Sequence, residues 1–75
     1  MELNKKEIYY ACAALHVYIK KKSLQVDSIT RRMLIDTENE EGNKIRGGMI
    51  QRRVRDIAVA EALLERLKAL AAEIN

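Results

Sequence analysis

Cys12 and His16 stand one helical turn apart. At that spacing an imidazole can take the proton from a thiol and leave a nucleophilic thiolate. The sequence supplies no third group to orient such a base, and both residues lie in an alanine-rich stretch. Cys12 therefore reads as a small buried hydrophobe and His16 as an interface histidine. One cysteine and one histidine also fall short of a zinc site within one chain. A second constellation is acidic: Asp36, Glu38, Glu40 and Glu41. An EF-hand loop counted from Asp36 needs glycine at its sixth position and glutamate at its twelfth, where this chain has Glu41 and Gly47. The run reads as a solvated turn. The expectation is a protein that is not an enzyme and uses no metal or other cofactor.

The third constellation is basic. Lys44 to Arg55 holds five basic residues and no acidic one. Gly47 and Gly48 stand before a stretch that reads as a helix, where bare backbone amides at a helix N-terminus can approach an anion. Arg46 and Arg52 flank that point, and Met49 follows it. Arg53 falls on the apolar row of the same helix and so aims toward a partner helix or a cleft. An inward arginine is costly unless it binds an anion, pairs with a carboxylate such as Asp56 or Asp36, or snorkels. Lys20, Lys21, Lys22, Arg31 and Arg32 can extend the basic surface. Tyr9, Tyr10 and Tyr18 offer faces for stacking on bases, or else pack in a core or interface. The candidate ligand-binding set is Arg46, Gly47, Gly48, Met49, Arg52, Arg53 and Tyr10.

The elements that must position these groups are helical. Asn4 can cap a first helix with Glu7 three residues on, and Leu3 and Ile8 fall where a hydrophobic staple packs. Ile8, Cys12, Leu15 and Ile19 share one stripe of that helix, which runs over about 4–22. Tyr10, Ala14 and Val17 occupy a second side, and Ala11 with Tyr18 a third, so more than one neighbour must enclose it. Ser23 to Asp27 reads as a break. Asp27 or Ser28 then caps a short helix over about 28–37, a stretch whose Ile29, Thr30 and Ile35 equally suit a strand. Asp36 to Asn43 reads as a turn, sharpest at Gly42–Asn43.

The long helix spans about 48–74. Ile50, Ile57, Leu64 and Ala71 recur every seven residues, as do Arg53, Ala60, Leu67 and Ile74. That is the seam of left-handed helix packing. Leu63 and Leu70 form a further row that one partner helix does not easily cover. The expected fold is all-α: a single domain, residues 1–75, with a hairpin of two long helices and a short middle helix that assembles into a symmetric helical-bundle oligomer. A closed three-helix monomer, with the short helix as third wall, is the competing arrangement.

Composition agrees. The 75 residues are 48% hydrophobic with no Phe, Trp or Pro, an alanine- and leucine-rich content suited to helix packing and too apolar for a disordered chain. A chain this short often needs oligomerisation to be stable. Its longest apolar run, Ala11 to Leu15, is far short of a bilayer span. No signal-peptide pattern precedes it. One cysteine fits a reducing, cytoplasmic setting. The net charge of +3 is modest for a binder of long polyanions.

The segment Lys44–Ala58, KIRGGMIQRRVRDIA, resembles the last helix of the small phage-encoded helical-hairpin proteins that sequester cyclic nucleotides made by bacterial defence systems. The likeness lies in size, helical content and a Gly-Met step leading into a helix with a basic residue. It implies a viral, anti-defence protein in the host cytoplasm, a symmetric oligomer holding nucleotides between protomers, with Arg46, Met49, Arg53 and a tyrosine such as Tyr10 as contacts. The RRVR run and the long Ala/Leu tail depart from that pattern. Three readings follow: sequestration of an anionic nucleotide, inhibition of a host protein by docking a basic face, and nucleic-acid binding through Arg52, Arg53 and Arg55. All three involve self-association and none involves a membrane.

Overall fold

Asn4 starts the first helix as its sequence predicts. Its side chain accepts a hydrogen bond from the Glu7 amide at 2.8 Å, and the Glu7 carboxylate accepts from the Asn4 amide at 3.0 Å. This reciprocal cap satisfies two of the amides that a helix N-terminus leaves open. Beyond it the computed structural model, which describes residues 3–74, contains two helices joined by a short turn. Helix α1 spans Lys5–Ile35 and α2 spans Glu40–Glu73. They pack as an antiparallel hairpin, a rod of 57 × 16 × 14 Å.

One alternating row on each helix makes the contact. On α1 it is Ile8, Cys12, Leu15, Ile19, Lys22, Val26, Ile29 and Met33, all buried or half-buried. On α2 it is Arg46, Ile50, Arg53, Ile57, Ala60, Leu64, Leu67 and Ala71, likewise turned inward, with Ile74 continuing the row at the helix end. Steps of four and three residues keep such a row on one side of a helix, and the seven-residue repeat winds the pair gently around each other. The expected seam of the second helix is thus present, and the Ile8–Ile19 stripe is the first half of its partner. Burial is deepest at Ile8, Ala60 and Leu64.

The expected break at Ser23–Asp27 is absent. Helix α1 runs straight through it, and the short helix expected over about 28–37 is its last turns. Asp27 and Ser28 cap nothing and are exposed. The physical reason is that neither Gly nor Pro occurs before Gly42, while Val26, Ile29 and Met33 continue the apolar row. Tertiary contact outweighs the modest helix propensity of Ser, Val, Thr and Ile there. No third wall exists among the described residues, so the closed three-helix monomer is excluded.

The turn falls at Asp36–Asn39, earlier than the Gly42–Asn43 step. The Asp36 amide closes α1 on the Arg32 carbonyl at 2.9 Å. Asn39 opens α2, its side chain accepting from the Gly42 amide at 2.9 Å and donating to Asp36 Oδ2 at 3.1 Å. Asn43 Nδ2 donates to the Asp36 carbonyl at 2.7 Å. Gly42 matters through its lack of a side chain: a Cβ there would collide with the capping amide of Asn39. The second helix therefore begins at Glu40 rather than at about 48, and Gly47–Gly48 lie two turns inside it.

Two contrasting substitutions test this account by urea unfolding. Leu64→Ala should cost about 2–4 kcal/mol by opening the seam. Gly42→Ala should cost about 1 kcal/mol by displacing the Asn39 cap, although alanine is ordinarily the better helix former. A gain in stability from Gly42→Ala would show that Asn39 does not cap α2.

Candidate functional site

Toward the turn the seam changes character. Its open-end half is aliphatic, while the half nearer the turn carries Lys22, Arg53 and Arg46 at positions that face the other helix. Arg53 reaches across the hairpin: its Nε donates to Gln25 Oε1 at 3.1 Å and its Nη1 to the Met49 carbonyl at 3.2 Å. Beside it, Lys22 Nζ lies 3.6 Å from Asp56 Oδ2 and 5.4 Å from the centre of the Tyr18 ring. Nearer the turn, Arg46 Nη1 donates to Asn43 Oδ1 at 2.9 Å and lies 3.4 Å from Asp36 Oδ2.

These contacts decide between the sequence alternatives for Arg53. It neither snorkels free nor pairs with Asp56 or Asp36, because Lys22 and Arg46 hold those two carboxylates. Its partners in the hairpin are a neutral amide and a backbone carbonyl. Among the described residues no carboxylate forms an ion pair with it, and it is half-buried. A guanidinium has five N–H donors, so two such bonds leave donors free. The site thus holds a partly desolvated cation without a counter-charge, an arrangement that favours an incoming anion over water alone.

The remaining candidates are placed unequally. Met49 contributes its carbonyl to Arg53. Arg52 is exposed and its Nε reaches only its own helix, at 3.5 Å from the Gly48 carbonyl. Gly47 and Gly48 are not at a helix N-terminus, which corrects the expected anion nest. Their amides belong to the ladder of α2, and a buried ladder amide does not also grip a phosphate. Tyr10 is also separated from the arginines within one chain. Gln25, level with Arg53, is fifteen residues further along α1, about 22 Å at the helical rise. Tyr10 instead packs edge-on against Tyr9, ring centres 5.9 Å apart, and is 61% exposed.

Gln25 and Asn43 are the residues that sequence reasoning missed. Reading the Ile8–Ile19 row onward through Lys22 and Val26 would have set Gln25 beside the seam. The Ser23–Asp27 break hid it.

Charge is segregated along the rod. Residues 20–55, the half that contains the turn, carry ten basic and five acidic side chains, and the rest of the chain four basic and six acidic. One half therefore has a surplus of five positive charges and the other of two negative. Cys12 lies half-buried on the seam and His16 is exposed on the next face.

Nothing lies within 4 Å of a Cβ built on Gly47 or Gly48, and neither has a positive φ. Gly47→Ala and Gly48→Ala should therefore each stabilise the hairpin by up to about 1 kcal/mol. A loss of stability would show that the space beside these two glycines is filled rather than open. Replacing both Arg53 and Gln25 by Leu should raise the melting temperature, since a well-packed apolar pair usually matches or exceeds a buried polar one. A fall would mean that the polar pair is itself the stronger contact.

Compared with protein-family models, curated proteins and solved structures, the chain matches none.

Proposed function

We propose that this chain is a non-enzymatic binding protein that self-associates and sequesters an anionic small molecule, a nucleotide, against the basic half of its rod. The observation that carries the reading is Arg53: a half-buried cation, held in place across the hairpin, whose hydrogen-bond partners are neutral. A bound phosphate would supply the missing counter-charge and take the donors that Gln25 and Met49 leave free. Exposed Arg52 and Arg55 on the next faces of the helix add to the local potential. Exposed Tyr9, Tyr10 and Tyr18 supply stacking faces. Tyr10 lies too far from Arg53 along its own chain, so in this reading the tyrosine comes from a second copy. Self-association is supported by how little the hairpin encloses. Its accessible surface is 6153 Å², against about 4,700 Å² for a folded monomer of this mass.

A second reading has its own support. Arg31, Arg32, Arg52 and Arg55 are all exposed around the turn half of the rod, and exposed arginines suit docking on an acidic protein face.

Melting curves with cyclic mononucleotides, cyclic dinucleotides, linear nucleotides and a short DNA duplex test both. A nucleotide present at a hundred times its dissociation constant should add about 2.7 kcal/mol to stability and raise the melting temperature. Arg53→Ala should remove that shift, and Lys68→Ala, in the acidic half and on the opposite side of the seam, should leave it. Silence with every nucleotide at millimolar concentration would sink the sequestration reading. Silence combined with salt-sensitive binding of an acidic peptide would put the second reading in its place.

A further inference from the structure

The hairpin has two broad sides, and its contacts identify which is apolar. Lys22 touches both Tyr18 and Asp56, so the row that contains Tyr18 and the row that contains Asp56 flank the seam on the same side. Seven-residue steps carry the second row outward from Asp56 to Leu63 and Leu70, and back to Met49. Val59 and Ile45 lie in the next row out on that side. The result is one face with apolar side chains toward each end, Leu63 and Leu70 toward the open end and Ile45 and Met49 near the turn, separated by a middle that holds Tyr18, Lys22 and Asp56, with exposed Arg52 and Arg66 in the same row as Ile45 and Val59. Leu63 and Leu70 are 42% and 39% exposed and Ile45 is 65% exposed.

We infer that this face is covered by a second copy of the chain running in the opposite direction, forming an antiparallel four-helix bundle about a two-fold axis near Lys22 and Asp56. The inference rests on the self-association in the reading above and adds its surface and direction. Two observations select the occupant. The first is area: the surface beyond that of a compact monomer is roughly 1,400 Å², and a stable dimer needs to bury only about 800 Å² per partner. The second is charge. In a parallel pair the two strongly basic halves would lie against each other. Reversal sets each basic half, residues 20–55, against the acidic half of the other copy, which lowers the repulsion and fixes the direction. A two-fold axis across the rod also lays α1 on α1 and α2 on α2. Leu70 of one copy then comes level with Ile45 of the other, so the apolar side chains toward each end meet their counterparts.

The experiment is disulfide trapping in the full chain with Cys12 replaced by Ser. Leu70→Cys and Ile45→Cys are made as separate proteins, checked for unchanged helicity by circular dichroism, and oxidised alone and mixed. The antiparallel pair gives a mixed Leu70→Cys/Ile45→Cys cross-link and no cross-link in either protein alone. A Leu70→Cys self-cross-link as the main product means a parallel pair and overturns the inference. So does a mass of 8.6 kDa by light scattering of the unmodified protein at high concentration, which would be the monomer. Leu63→Lys, on the exposed face, should shift the mass from dimer to monomer while keeping the helical signal, and an unchanged dimer would also count against this face. An antiparallel dimer that ignores every nucleotide removes the ligand reading and leaves this one standing.

Discussion

Two helices lying side by side can give each other only one stripe apiece. That constraint governs this molecule. A stripe is about two residues in seven, and the helices here are apolar well beyond it, so the surplus must look outward. Tyr9, Tyr10, Val17 and Leu24 on α1 and Val59, Leu63 and Leu70 on α2 are all substantially exposed. The elongation follows from the same constraint: the radius of gyration is 16.8 Å, against about 11 Å for a compact domain of this length. With so narrow a core, no interior cavity can form between the helices, and any ligand must meet the molecule at its surface or between molecules.

The polar segment of the seam is then informative because it sits where burial is scarcest. A lysine and two arginines, Lys22, Arg53 and Arg46, occupy inward positions between Lys22 and the turn, interspersed with Ile50, Val26 and Ile29, and each is held across the hairpin or within the turn. Such matches set register. Gln25 opposite Arg53 and Lys22 opposite Asp56 move three residues in opposite directions along the two helices, so both specify the same alignment. A slip by one heptad would set Lys22 level with Met49 or Leu63 and Arg53 level with Tyr18 or Arg32, so both would lose their present partners, and a half-buried cation without a partner is expensive. The aliphatic half holds the helices together, and the polar half fixes which residues lie level with which.

The periodicity of α2 was readable because its seam residues from Ile50 to Ile74 are all Ile, Leu or Ala, with Arg53 as the exception that kept its place in the row. The cap at Asn4 was equally readable, since a capping box is a local, four-residue pattern. Helix α1 was legible only to Ile19. Beyond it the row passes through Lys22, whose side chain hides the repeat, and the nearby Ser23 and Asp27 look like punctuation although no Gly or Pro accompanies them. The turn was misplaced for a related reason. Gly42 looked like the bend, whereas its function is to leave room for the Asn39 cap three residues earlier. Consequently the basic segment was expected at a helix start with free amides, and it lies in mid-helix with only side chains to offer. Gln25 and Asn43 could not be seen as partners until α1 was known to be continuous.

The knot of hydrogen bonds around Asp36 has a consequence for how the chain avoids exchanging parts with its neighbours. Asp36 terminates α1, accepts from Asn39 and Asn43, and holds Arg46. Four residues without Gly or Pro are otherwise a weak stop between two long helices. Were they to turn helical, Lys5 to Glu73 would become a single continuous helix about 100 Å long. Two such helices could pair along the same seam residues that now meet within one molecule, the open form of a domain-swapped dimer. Straightening would break the Asn43 and Arg46 contacts to Asp36 together, because residues seven and ten apart on a helix lie about 10 and 15 Å apart along its axis. The turn therefore acts as a latch that keeps the seam an intramolecular contact.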